Sequence, residues 1–155
     1  MYLYFRLGGV EQDEGTPQQA LVYFRRALDV AIKWDGSSAS LNSRERAAAS
    51  DSQNVNARRV LVGCIWRLAA MWADDKPELA LEYARRAVQI SEDLHAADPM
   101  NVESRYHASR GYGALGEALH KLGSQNEAIQ AFKRAIEHQD AIEAVSPERV
   151  LIFES

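Results

Sequence analysis

The sequence predicts an all-α fold, a stack of helical hairpins, and three observations carry that prediction. The first is a spacing that occurs three times: a small residue, an aromatic or small residue four positions on, and alanine three after that. It reads Ala20, Phe24, Ala27, then Ala80, Ala84, Ala87, then Ala128, Phe132, Ala135. The second is a fragment upstream of each copy: Tyr4, Leu7, Gly8, then Ile65, Leu68, Ala69, then Tyr112, Leu115, Gly116. The third is a longer alignment at a constant offset of 47, in which Asp51, Asn54, Val55, Arg58, Ile65, Leu68 and Ala69 recur as Asp98, Asn101, Val102, Arg105, Tyr112, Leu115 and Gly116. Such periodic self-similarity marks supersecondary units that bury their apolar faces by stacking on neighbours.

Each element has its own signals. A first helix is expected near 2–13, stopped at Gly15. Thr16, Pro17 and Gln19 then supply an N-cap, a proline at the first helical position and a capping-box partner for a helix over 17–34. Residues 35–43, DGSSASLNS, read as a loop, and 44–50 as a short helical turn at most. The next helix is expected over 52–73. Asp75 with Glu78 forms an aspartate capping box before 76–97. Asp98-Pro99 opens a long helix over 99–122, stopped by Gly123 in the left-handed conformation that glycine tolerates. Ser124 with Glu127 then caps a helix over 125–144. Ser146-Pro147-Glu148 reads as a further helix start, followed by Val150, Leu151, Ile152 and Phe153.

These copies resemble the tetratricopeptide repeat family, whose pattern is W-x2-L-G-x2-Y, then A-x3-F, then A and P. Copy one carries Leu7, Gly8, Gly15, Ala20, Phe24 and Ala27. Copy three carries Leu115, Gly116, Leu119, Gly123, Ala128, Phe132 and Ala135. Copy two, with Leu68, Ala69, Trp72, Ala80, Ala84 and Ala87, lacks one turn residue and has a small residue in place of phenylalanine. The resemblance implies a right-handed α-solenoid of about three helical hairpins in a single domain over 1–155. The repeats would span about 1–34, 51–97 and 98–144, with a loop over 35–50 and a further helix begun at 146–155. Ala80 to Ala128 is 48 residues, against roughly 34 for the family. The excess splits into about seven residues per helix, or about two turns, which lengthens each helix with little rotation of its buried face. Such extended repeats also look like arrays appended to some bacterial serine/threonine protein kinases, although no kinase motif is present.

Composition limits the function classes. A chain of 155 residues with 46% hydrophobic and 26% charged residues suits one compact unit. A net charge of −4 argues against a nucleic-acid partner. The single cysteine, Cys64, excludes an intrachain disulfide and suits a reducing compartment. No apolar run is long enough to span a membrane, and the first ten residues lack a signal peptide's pattern, so the expected location is cytoplasmic. Both ends are apolar, with Tyr2 to Phe5 at one and Val150 to Phe153 at the other. We read this as part of a longer array, the alternative being self-association through the ends.

Catalytic and metal chemistry find little support. Glu92-x-x-His95 and Glu117-x-x-His120 are a sequence pattern of ferritin-like metal bundles. Helices meeting near Pro99, however, place Glu92 about 10 Å and Glu117 about 27 Å from the turn, so the two pairs are expected to be solvated helix-face pairs. Cys64 and His107 have no third group to make a nucleophile and base, and Cys64 is expected in the core. The pairs Arg25-Arg26, Arg85-Arg86 and Lys133-Arg134 are expected on a solvated outer face. No cofactor is expected. The family resemblance implies instead a non-catalytic module that holds a protein or peptide in a groove lined by the first helices of the repeats. Mapped onto this chain, the groove residues are Phe5, Trp66, Arg67, Arg110, Glu117, His120 and Lys121. Phe5 and Gly9 stand where some members carry a lysine and asparagine for a partner's terminal carboxylate, which argues against that mode of binding. Phe5 and Trp66 are the expected apolar anchor, with Arg67 and Arg110 supplying charge-assisted contacts.

Overall fold

The computed structural model describes residues 52–145 and five helical positions, 19, 22, 23, 25 and 26. The helices expected over 2–13 and most of 17–34, the loop over 35–50, the start at 146–155 and the anchor Phe5 lie outside the described residues. Four long helices follow one another: α1 (Ser52–Trp72), α2 (Pro77–Ala97), α3 (Val102–Lys121) and α4 (Gln125–Val145). There is no strand among the described residues. Each helix has 20 or 21 residues, about 30 Å at 1.5 Å per residue, as the lengthened repeat requires.

The helix ends follow backbone chemistry, with two departures from expectation. At the end of α3, Gly123 has φ of 82°. Its N–H bonds to the His120 carbonyl at 3.0 Å, and the next N–H, of Ser124, reaches back to Leu119 at 2.9 Å. This paired return satisfies carbonyls that a helix end leaves open. The start of α3 differs from the sequence expectation. Asp98 closes α2, its N–H bonding to the Leu94 carbonyl at 3.2 Å. Asn101 caps α3 instead, its Oδ1 accepting from Ser104 N–H at 3.0 Å, because an amide three residues ahead of that N–H suits the orphan donor. The Asp75 cap also fails to form. The position before α2 is Lys76, with no side-chain cap, and Pro77 itself opens the helix.

Small residues let the helices approach. Ala69, Ala80, Ala84 and Ala87 are fully buried, and Ala128 nearly so. Ala84 and Ala114 meet where α2 crosses α3, joined by Ala69 of α1, and Ala80 and Ala118 meet one turn along. At Gly111 a Cβ would sit 3.4 Å from the Val88 backbone nitrogen, so α3 lies almost on the α2 backbone. At Gly116 a Cβ would meet the Phe132 ring at 2.7 Å. Phe132 thus fills the space that Gly116 leaves, as its place in the repeat implies. The larger core lies between α1 and α2, where Leu61, Val62, Cys64, Ile65 and Leu68 pack with Leu94. Burying such aliphatic side chains stabilises the hairpin by about 1.5–3 kcal/mol each.

The packing order is that of an open stack. α1 packs on α2, and α3 packs on both; α4 packs along α3 and not along α1. A closed four-helix bundle would bring its first and last helices together.

Candidate functional site

The face shared by α1 and α3 is built from two aromatic residues and two arginines. Tyr106, Arg110, Glu117 and Lys121 follow one another at helical spacing, which places them along one side of α3. The opposite side carries the buried Ser104, Ala108, Gly111 and Ala118. On α1, Trp66 sits beside Tyr106, with ring centroids 6.5 Å apart and planes at 82°. Edge-to-face pairs of this kind place a positive ring edge on a negative ring face. Each ring also carries a guanidinium: Arg67 lies 4.1 Å from the Trp66 centroid, and Arg110 lies 5.3 Å from that of Tyr106. Arg67 also donates to the Gly63 carbonyl at 3.1 Å. Arg110 is exposed. Stacking on a ring holds a guanidinium in place.

His107 supports this face from beneath. Its Nδ1 accepts a hydrogen bond from the Trp66 indole N–H at 3.4 Å, which requires a neutral ring with its proton on Nε2. Burial, reinforced by the charges of Arg67 and Arg59, pushes its pKa down to about 3. Glu103, 3.9 Å away and half exposed, does not offset that loss of solvation. Beside it, Arg59 and Glu103 pair at 3.5 Å across the α1–α3 seam.

The other expected groove residues scatter. Glu117 is exposed on the same side of α3 as Arg110. Lys121 pairs with Asp74 in the α1–α2 turn, which raises the pKa of its ammonium through hydrogen bonding and charge. His120 turns toward the start of α4, with Nδ1 2.9 Å from Gln125 Oε1. The structure therefore brings Trp66, Arg67 and Arg110 together, and sets His120 and Lys121 at the far end of α3. Tyr106, which completes the cluster, was not legible as a site residue because it lies outside the repeated positions.

Cys64 is fully buried, and burial pushes its thiol up to about 12, so it is a core residue and not a thiolate nucleophile. Glu92 and His95 are not the solvated helix-face pair expected. Both are half buried, and they meet His138 of α4, whose Nε2 lies 3.2 Å from Glu92 Oε1 and whose ring lies 5.6 Å from that of His95. The spacing of the two motifs along α2 and α3 carries no information on α4, from which the partner comes. Among the described residues no group of three or more His, Cys, Asp or Glu is placed to hold a metal ion. A separate apolar groove of about 500 Å³ lies between α3 and α4, lined by Tyr112, Leu115, Leu119, Ile129, Ala131 and Arg134 among others.

Comparison with known proteins fits this architecture. Residues 109–139, the second half of α3 and most of α4, match the family described as tetratricopeptide repeat. The chain carries a tetratricopeptide repeat. No curated protein and no solved structure matches it. Proteins of this family are typically interaction modules without chemistry of their own, and no helix among the described residues is long and apolar enough to cross a membrane.

Proposed function

We propose that this repeat protein is a non-catalytic binding module that takes an extended, acidic segment of a partner protein along the α1–α3 face. The observation that carries this reading is the pairing of Trp66 with Tyr106, each ring topped by a guanidinium. Aromatic rings offer contact area at little cost in side-chain entropy, and the exposed, ring-stacked Arg110 offers a fixed donor group for a carboxylate. A segment with one apolar or aromatic residue between acidic ones matches that arrangement. Peptides selected from a random library on the intact protein should be enriched in Asp and Glu around such a residue. An Arg67→Ala/Arg110→Ala double variant should then bind them at least about tenfold more weakly, since hydrogen bonds to charged groups are worth about 1.5–3 kcal/mol. Equal binding by the double variant would rule out this face.

A different observation favours a second reading, self-association. Ile129, Phe132 and Ile136 are 50%, 38% and 57% exposed along one side of α4. A self-associating protein would show a mass above that of the monomer in light scattering, and an Ile129→Ser/Ile136→Ser variant would return it to the monomer.

A further inference from the structure

α2 and α4 do not pack along one another, yet side chains link them: Leu81 of α2 reaches the apolar cluster of Leu119, Ala128 and Ala131, and a polar cluster joins them farther along. Glu92 and His95 come from α2, His138 from α4, and Tyr112 from α3 between them. His138 Nε2 lies 3.2 Å from Glu92 Oε1, and burial, together with the charge of Glu92, raises the pKa of the Tyr112 hydroxyl. The Tyr112 ring stacks on the His138 ring at 5.8 Å and 18°. The His95 ring meets His138 edge to face at 5.6 Å. The Nδ1 atoms of both histidines are buried and have no hydrogen-bond partner.

That last pair of atoms decides what the cluster can do. A neutral imidazole leaves one nitrogen as a bare acceptor, a tolerable loss when buried. A protonated imidazole makes the same nitrogen a charged donor, and an unpaired buried charge is far more costly. Glu92 is the carboxylate of the cluster, and His138 Nε2 already faces it. We propose that Glu92, His95, His138 and Tyr112 form a proton-operated latch that holds α4 against α2 when His95 is neutral and releases it when His95 becomes charged.

The surrounding charges set the direction. On α2, Glu92 and Asp98 attract a proton to His95. From α3 Arg105, and from α4 His138, repel it. Arg134 and Glu137 of α4 act on the Tyr112 side of the cluster, and Asp93 turns away to Arg58 of α1. Burial is the largest influence and, with Arg105 and His138, lowers the His95 pKa below its ordinary 6.5. The latch is therefore closed above about pH 6.5 and opens as the pH falls below it. Opening frees the latch end of α4 and lets it shift about its packing on α3, which changes the curvature of the stack.

Hydrogen exchange of the full chain, corrected for intrinsic rates, tests this between pH 7.5 and 5.0. We expect amides at the latch end of α4, residues 135–145, to lose protection by about tenfold for each pH unit below the opening point, while amides in the middle of α1 lose less. His95→Phe should keep α4 protected at pH 5.0. Glu92→Gln, which removes the carboxylate, should weaken the closed state and open α4 at a higher pH than in the unaltered protein. Loss of protection shared equally by α1 and α4 would mean acid unfolding of the whole chain and would overturn the proposal. So would the same loss in His95→Phe as in the unaltered protein.

Discussion

The α2–α3 seam and the outer side of α4 are the same repeat surface in two conditions. Leu81, Ala84 and Val88 of α2 correspond, 48 residues on, to Ile129, Phe132 and Ile136 of α4. On α2 this stripe lies under α3: Ala84 is fully buried against Ala114, and the backbone at Val88 is in contact distance of Gly111. On α4 the equivalent residues are exposed, with the α3–α4 groove beside them. The comparison separates what the repeat pattern specifies, an apolar stripe on each second helix, from what stability requires, a helix to cover it. It also explains why the covered copy has alanine where the uncovered one has phenylalanine. Ala84 leaves room for a crossing backbone, whereas Phe132 lies across Gly116 within its own hairpin.

Substitutions at matched positions should expose this difference. Leu68→Ala, in the core between α1 and α2, should cost about 2–5 kcal/mol in denaturant unfolding through lost contacts and a cavity. The matched pair is more telling. Leu81→Ser should cost about 1.5–3 kcal/mol by removing buried apolar area, and Ile129→Ser should stay within about 0.5 kcal/mol of the unaltered protein. Similar losses at both positions would show that the α4 stripe is covered in solution. Ala128→Leu should overpack the α3–α4 crossing and cost about 1–3 kcal/mol in thermal melts, and no loss would count against the packing of small residues there.

A separate effect concerns pH and accumulates with acidity. His107 is neutral in the folded chain, with a pKa of about 3 against an ordinary 6.5. The unfolded chain binds the proton more readily, so stability is unaffected above pH 6.5 and falls as pH drops from 6.5 toward 3. The slope from this residue is at most about 1.4 kcal/mol per pH unit. In His107→Gln, which can still accept from the Trp66 indole, that slope should be reduced in urea titrations at successive pH values.

Much of the fold was legible because it is written in local chemistry repeated at fixed distance. The Gly123 stop, the four long helices and the burial of Ala69, Ala80, Ala84 and Ala128 all follow from spacing and backbone preference. The two misread caps show the limit of such local reading. Asp75 and Asp98 have the right residue type, but backbone geometry gave the positions to Lys76 and Asn101. The site was less legible. Trp66, Arg67 and Arg110 could be placed on helix faces by periodicity, whereas Tyr106 became visible only once α1 lay beside α3. The His138 partnership with Glu92 and His95 spans non-consecutive helices. It depends on how one hairpin sits on the next, which no short-range spacing records.

The binding face is the claim on which the functional account turns, and fluorine NMR of protein labelled with 5-fluorotryptophan tests it most directly. The chain has three tryptophans, Trp34, Trp66 and Trp72, whose resonances can be assigned by single substitution. On adding an acidic peptide selected from the library, the account predicts that the Trp66 resonance shifts with the binding curve and that Arg67→Ala/Arg110→Ala abolishes the shift. A peptide that binds while the Trp66 resonance stays in place would contradict it.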